Sequence, residues 1–74
     1  MLSAMPRFKI NGGFLCHDAR YVDGVTLEVE LPAEPNRNDA VELLRPLADE
    51  KLIRREKMVF PYEFTEITVE QLPV

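Results

Sequence analysis

One cysteine, one histidine and no tryptophan leave this 74-residue chain short of the side chains that staple small domains or hold metal ions. Cys16 has no second cysteine to pair with, so the disulfide framework common in small secreted domains is excluded. Cys16 and His17 fall short of the four ligands of a closed zinc site, and no metal or cofactor is expected. Long apolar runs are missing too, and none approaches the ~20 residues of a membrane span. Positive charge is the scarcer sign: nine Lys and Arg against thirteen Asp and Glu give a net charge of −4. That balance argues against general affinity for nucleic acid or an anionic membrane. Met1 to Pro6 has neither the charged start nor the apolar core of a signal peptide. These absences point to an intracellular, cytoplasmic domain resting on packing alone, with another protein as the default partner.

What is present is patterning. From Asp23 to Pro32, Val25, Leu27, Val29 and Leu31 alternate with Thr26, Glu28 and Glu30, so an extended strand has one apolar and one charged side. Asp23-Gly24 reads as the turn into this strand, and Pro32 removes the donor that would extend it. Upstream, Arg7 to Ile10 alternates, Asn11-Gly12-Gly13 supplies residues suited to a tight reversal, and Phe14 to Val22 resumes in extended form. A hairpin is expected there, with a bulge or break near Asp18.

The run Pro32 to Asn38 is loop-forming, and Asn38 or Asp39 can cap a following helix. Val41, Leu44, Ala48 and Leu52, joined by Leu43 and Leu47, give that helix an apolar face that should cover the sheet. Pro46 deletes a hydrogen bond, so the helix is expected either to kink there or to split into two, Asp39 to Arg45 and Leu47 to Lys51. Leu52 to Arg55 reads as the start of a further strand. Met58 to Val69 is rich in aromatic and β-branched residues, and the opposite parities of Phe64 and Ile67 call for a bulge or a change of face between them. Seventy-four residues make one domain, spanning residues 1–74, with loose ends at 1–6 and 71–74 and a small core. The fold class is α+β: a mostly antiparallel sheet of three to five strands with one helix, bent at Pro46 or split there, packed on one face.

Chemistry is thin. Cys16, His17 and Asp18 are the residue types of a nucleophile, base and orienter, but on a strand Cys16 and His17 project to opposite faces and cannot converge. Glu28 and Glu30 share a strand face, which is what a solvated outer face gives. The one basic cluster, Lys51, Arg54, Arg55 and Lys57, leads directly to Phe60 and Tyr62; Arg and Tyr are favoured at interface hot spots, so these six residues form the expected partner-binding surface. Phe8, Phe14, Phe60, Tyr62 and Phe64 are more aromatics than one helix should hide, and a leftover apolar patch would mark a partner site or a homodimer contact.

Leu43 to Lys57, L-L-R-P-L-A-D-E-K-L-I-R-R-E-K, resembles the recognition-helix end and first wing strand of winged-helix repressors, with E-F-T-E-I-T-V as the returning strand. The two earlier helices of that motif have no counterpart, so the resemblance implies a shared helix-to-strand join and, as an alternative function, a minimal nucleic-acid-binding regulator using residues 51–57. In size, acidity and its strand, strand, helix, strand order around V-T-L-E-V-E-L and D-A-V-E-L-L, the chain resembles small phage-encoded inhibitors and regulators of host machinery. That likeness implies a non-enzymatic protein-binding module that modulates or inhibits a larger assembly, such as host RNA polymerase or a defence complex.

Overall fold

The structure, a computed structural model, describes residues 5–16, 21–57 and 61–73. Three strands and one helix follow in the order β1 (Arg7–Cys16), β2 (Tyr21–Glu30), α1 (Arg37–Glu56) and β3 (Tyr62–Gln71). β1 is the central strand of a three-stranded sheet ordered β2-β1-β3, antiparallel to both neighbours. The α+β architecture and the strand, strand, helix, strand order agree with the sequence pattern.

The hairpin expected at Asn11-Gly12-Gly13 is not formed. β1 runs straight through these residues and keeps one register with β2 from Arg7↔Glu30 to Cys16↔Tyr21. Neither glycine has a positive φ. Gly12 serves closeness instead: a Cβ there would lie 2.5 Å from Leu44 Cδ1 and 3.0 Å from the Phe64 ring, so its bare backbone lets the helix settle onto the sheet. Asp23-Gly24, read as a turn, also lies inside β2, where Asp23 pairs with Phe14 and Gly24 with Gly13 of β1. The break expected near Asp18 falls in residues 17–20, outside the described residues.

Even-numbered residues of β1 and odd-numbered residues of β2 share the helix-facing side of the sheet. In β3 the register shifts beside Gly13 and Phe14: Gly13 pairs with Glu66 while Phe14 pairs with Phe64. Thr65 is the extra residue, and this bulge returns Phe64, Ile67 and Val69 to one face, as their parity requires.

Helix α1 begins earlier and ends later than the sequence suggests. Asn36, not Asn38 or Asp39, is the N-cap, its side chain accepting from the Asp39 amide at 2.8 Å. The helix is one element through Pro46, whose side chain is exposed, and the expected strand at Leu52 to Arg55 forms its last turns. The physical reason is the buried row Ala40, Leu44, Ala48, Leu52: four-residue spacing carries the core face past Lys51, where a strand would have turned Leu52 away from it. Lys57 closes the helix in the left-handed region (φ 67°), its amide bonded to the Ile53 carbonyl at 3.0 Å. The helix-to-wing join of the winged-helix resemblance is therefore absent at Leu52 to Arg55.

The core cluster joins that helix row to Ile10, Phe14, Cys16 and Phe64, with Val25, Leu27, Val29, Ile67 and Val69 packed at its margins. The aromatic surplus is smaller than expected. Phe8, Phe14 and Phe64 are 2%, 0% and 8% exposed, and Tyr62 is half-buried, so these four rings leave little aromatic surface open. Phe60 lies outside the described residues. Among the described residues, no helix is long and apolar enough to cross a membrane.

Candidate functional site

The six residues of the expected contact surface do not gather on one patch. Lys51 sits half-buried on the β2 side of α1, where its Nζ donates to Asp23 Oδ1 at 3.0 Å and to the Gly24 carbonyl at 2.7 Å. Tyr62 opens β3 on the opposite side of the helix. Its hydroxyl donates to Asp49 Oδ1 at 2.7 Å, and its ring stands 5.3 Å from Phe14 and 5.7 Å from Phe64. Burial, together with the hydrogen bond and negative charge of Asp49, pushes the Tyr62 hydroxyl up to about 12, while Arg45 works in the opposite direction. Arg54 is exposed and paired with Glu50 one turn back. Arg55 and Lys57 are exposed at the helix end, and Phe60 falls in residues 58–60, outside the described residues.

Lys51 and Tyr62 thus tie α1 to the two outer strands. A third tie, which the sequence did not single out, comes from Arg37 in the first turn: its guanidinium donates to the Phe64 carbonyl at 3.0 Å. The ladder shows what these ties do. The Leu31 amide bonds to the Pro6 carbonyl at 3.1 Å, so in β2 the odd-numbered backbone groups face β1 and the even-numbered ones face outward. The Leu72 amide bonds to the Arg7 carbonyl at 2.8 Å, which with the bulge at Thr65 makes the Phe64 backbone outward-facing on β3. Lys51 and Arg37 therefore occupy outward carbonyls on the two free edges of the sheet. At Gly24 the amide is occupied as well, by Asp23 Oδ1 at 2.7 Å. Cationic side chains laid on an edge are a known guard against unwanted strand pairing.

Beyond these guards no described strand closes either edge. The outward backbone groups of Thr26, Glu28 and Glu30 on β2, and of Ile67 and Val69 on β3, have no strand against them among the described residues. No described element covers the sheet face away from α1 either. Arg7 and Lys9 run along its middle, with Glu28 and Glu30 on β2 and Glu66 and Glu70 on β3; Arg7 reaches Glu28 at 3.5 Å. Cys16, one of the three residues weighed for nucleophilic chemistry, is fully buried in the core, and His17 and Asp18 lie outside the described residues. No cluster of three or more potential metal ligands occurs among the described residues.

Asp23, Gly24, Arg37 and Asp49 were the residues missed. Asp23-Gly24 carried a signal, but one that reads equally as a turn; the others are ordinary surface types until the helix and strands are set beside one another. No protein family, curated protein or solved structure matches this chain.

Proposed function

We propose that this protein is a non-enzymatic binding module that docks on a larger protein assembly and modulates or inhibits it. The observation that carries this reading is the partly open sheet: among the described residues a single helix serves one face, and both outer strands keep backbone groups with no strand against them beyond the guards. Unpaired strand edges are a common means of holding an extended partner, because main-chain hydrogen bonds give affinity and alternate side chains give selectivity. The exposed basic end of α1, Arg55 and Lys57, belongs to the same proposal as a secondary contact. So does the class of target suggested by the likeness to phage-encoded regulators, a transcription or defence complex. A nucleic-acid ligand is less well supported, since Lys51 and Arg54 are engaged with Asp23, Gly24 and Glu50.

Affinity capture from a bacterial lysate with cross-linking to identify the contact tests this directly. Recovery of one defined assembly, cross-linked through this domain, is the expected result. A well-folded domain that retains nothing above background would defeat the reading.

A further inference from the structure

The second half of β2 is a bounded window. At one end Asp23 and Lys51 close Gly24 by its amide and its carbonyl; at the other Pro32 has no amide to offer. Between them Thr26, Glu28 and Glu30 direct their backbone N–H and C=O groups outward, in register with the rest of the sheet. The two sides of this edge differ in chemistry. On the helix side Val25, Leu27 and Val29 are only partly buried, and Leu31 joins Pro32, Pro35 and Leu43 around an open, largely apolar groove of about 500 Å³. On the bare side Glu28 and Glu30 are exposed.

From this we infer that residues 25–31 bind an extended peptide segment whose side chains alternate between apolar and basic, adding a fourth strand to the sheet. The apolar side chains would lie over Leu27, Val29 and the groove at Leu43, and the Lys or Arg side chains would lie beside Glu28 and Glu30. The sheet already contains one strand of this pattern. Arg7-Phe8-Lys9-Ile10 of β1 presents Phe8 and Ile10 to the core and Arg7 and Lys9 to the acids of β2, which pair with it at Arg7↔Glu30 and Lys9↔Glu28. The free side of β2 offers the same acids and the same apolar parity to a second such strand.

Charge also selects against a second copy of β2 as the occupant. A two-fold pairing centred on Leu27, Glu28 or Val29 sets acids of the two copies directly or diagonally opposite one another. One centred on Thr26 must instead pair the closed Gly24. β3 is the poorer edge for this ligand because the bulge at Thr65 shifts its register and shortens its regular run to Glu66 to Gln71.

This inference rests on the proposed binding function and is tested separately from it. The probe is a short capped peptide of alternating lysine and valine, with a glutamate and valine peptide as control, titrated by fluorescence polarisation and by amide shifts in NMR spectra. Thr26→Pro removes an outward donor without touching a backbone ladder bond to β1. It also removes the exposed hydroxyl bond from Thr26 to Asn11 Oδ1, which Thr26→Val removes alone as a control. Thr26→Pro and the double change Glu28→Lys with Glu30→Lys should each weaken the lysine peptide by about tenfold or more, with circular dichroism unchanged. Lys51→Met, which uncovers the Gly24 carbonyl and leaves its amide closed by Asp23, should tighten binding modestly. Amide shifts should centre on Thr26, Glu28 and Glu30. Shifts centred on Ile67 and Val69, equal binding of the glutamate peptide, or full binding by a folded Thr26→Pro variant would overturn the inference. So would a dimer in sedimentation that Thr26→Pro dissolves. If the wild-type protein captures an assembly and Thr26→Pro captures it equally, the inference fails while the broader function stands; if the wild type captures nothing, the broader function fails.

Discussion

The two ends of the sheet are built differently. Around Phe14 and Cys16, three aromatic rings pack edge-on or tilted within 6 Å of one another, Leu44 presses on Gly12, and Arg37 and Lys51 hold both outer strands by their carbonyls. Around Arg7, Phe8 is buried but stands outside the main cluster, and among the described residues the outer strands Thr26 to Glu30 and Ile67 to Gln71 run on without such ties. Among the described residues the first end concentrates the ring packing and the edge ties, and the second the outward backbone groups that no strand meets. A domain of this size cannot maximise both everywhere, because every edge group closed by a side chain is one withdrawn from a partner.

Four substitutions would break or sharpen this contrast, beginning with the largest effect. Phe14→Ala empties the ring cluster and should cost about 3–5 kcal/mol in urea unfolding; a loss below about 1 kcal/mol would mean the stability resides elsewhere. Gly12→Ala forces a methyl against Leu44 and Phe64 and should cost about 1–3 kcal/mol, with the helix displaced from the sheet. An unchanged midpoint would show that Leu44 yields freely.

Tyr62→Phe removes the bond to Asp49 and should cost about 1–2 kcal/mol at neutral pH. It should also change the pH dependence. The folded hydroxyl titrates near 12 against an ordinary 10, so the unfolded chain loses its phenol proton first, and wild-type stability should fall as pH rises from about 10 through about 12. The variant should lack that part of the slope; identical slopes would place the effect on another group. Arg54→Ala, at an exposed pair one helical turn apart, should change stability by no more than about 0.5 kcal/mol. A larger loss would give the helix end a structural part that its contacts do not suggest.

The elements legible in the sequence are those fixed by periodicity. The alternation from Val25 to Leu31 specifies a strand and its buried side, and the mismatch between Phe64 and Ile67 specifies a bulge, because both follow from the two-residue repeat of a strand. The helix was legible in its interior for the same reason. What misled were residues with two physical uses. Gly12 and Gly24 suit a turn through their conformational freedom and suit a strand through their lack of a side chain, and only the packing of Leu44 decides for Gly12. Lys51 and Tyr62 have the chemistry of an interface, and they use it inward, on Asp23, Gly24 and Asp49, partners from 13 to 28 residues away in sequence that no local pattern brings to mind. The open window on β2 was hidden likewise, since which strand is central depends on pairing that residue types alone do not fix.

Arg37 and Lys51 belong to the same helix whose apolar row completes the core. Shelter of the sheet from foreign strands and closure of the interior are consequently one event. Should the helix lift away, both cations leave together, and the chain is at that instant both molten and adhesive. Heating should therefore bring turbidity at the temperature where helicity is lost, with no interval of clear, partly unfolded solution between them.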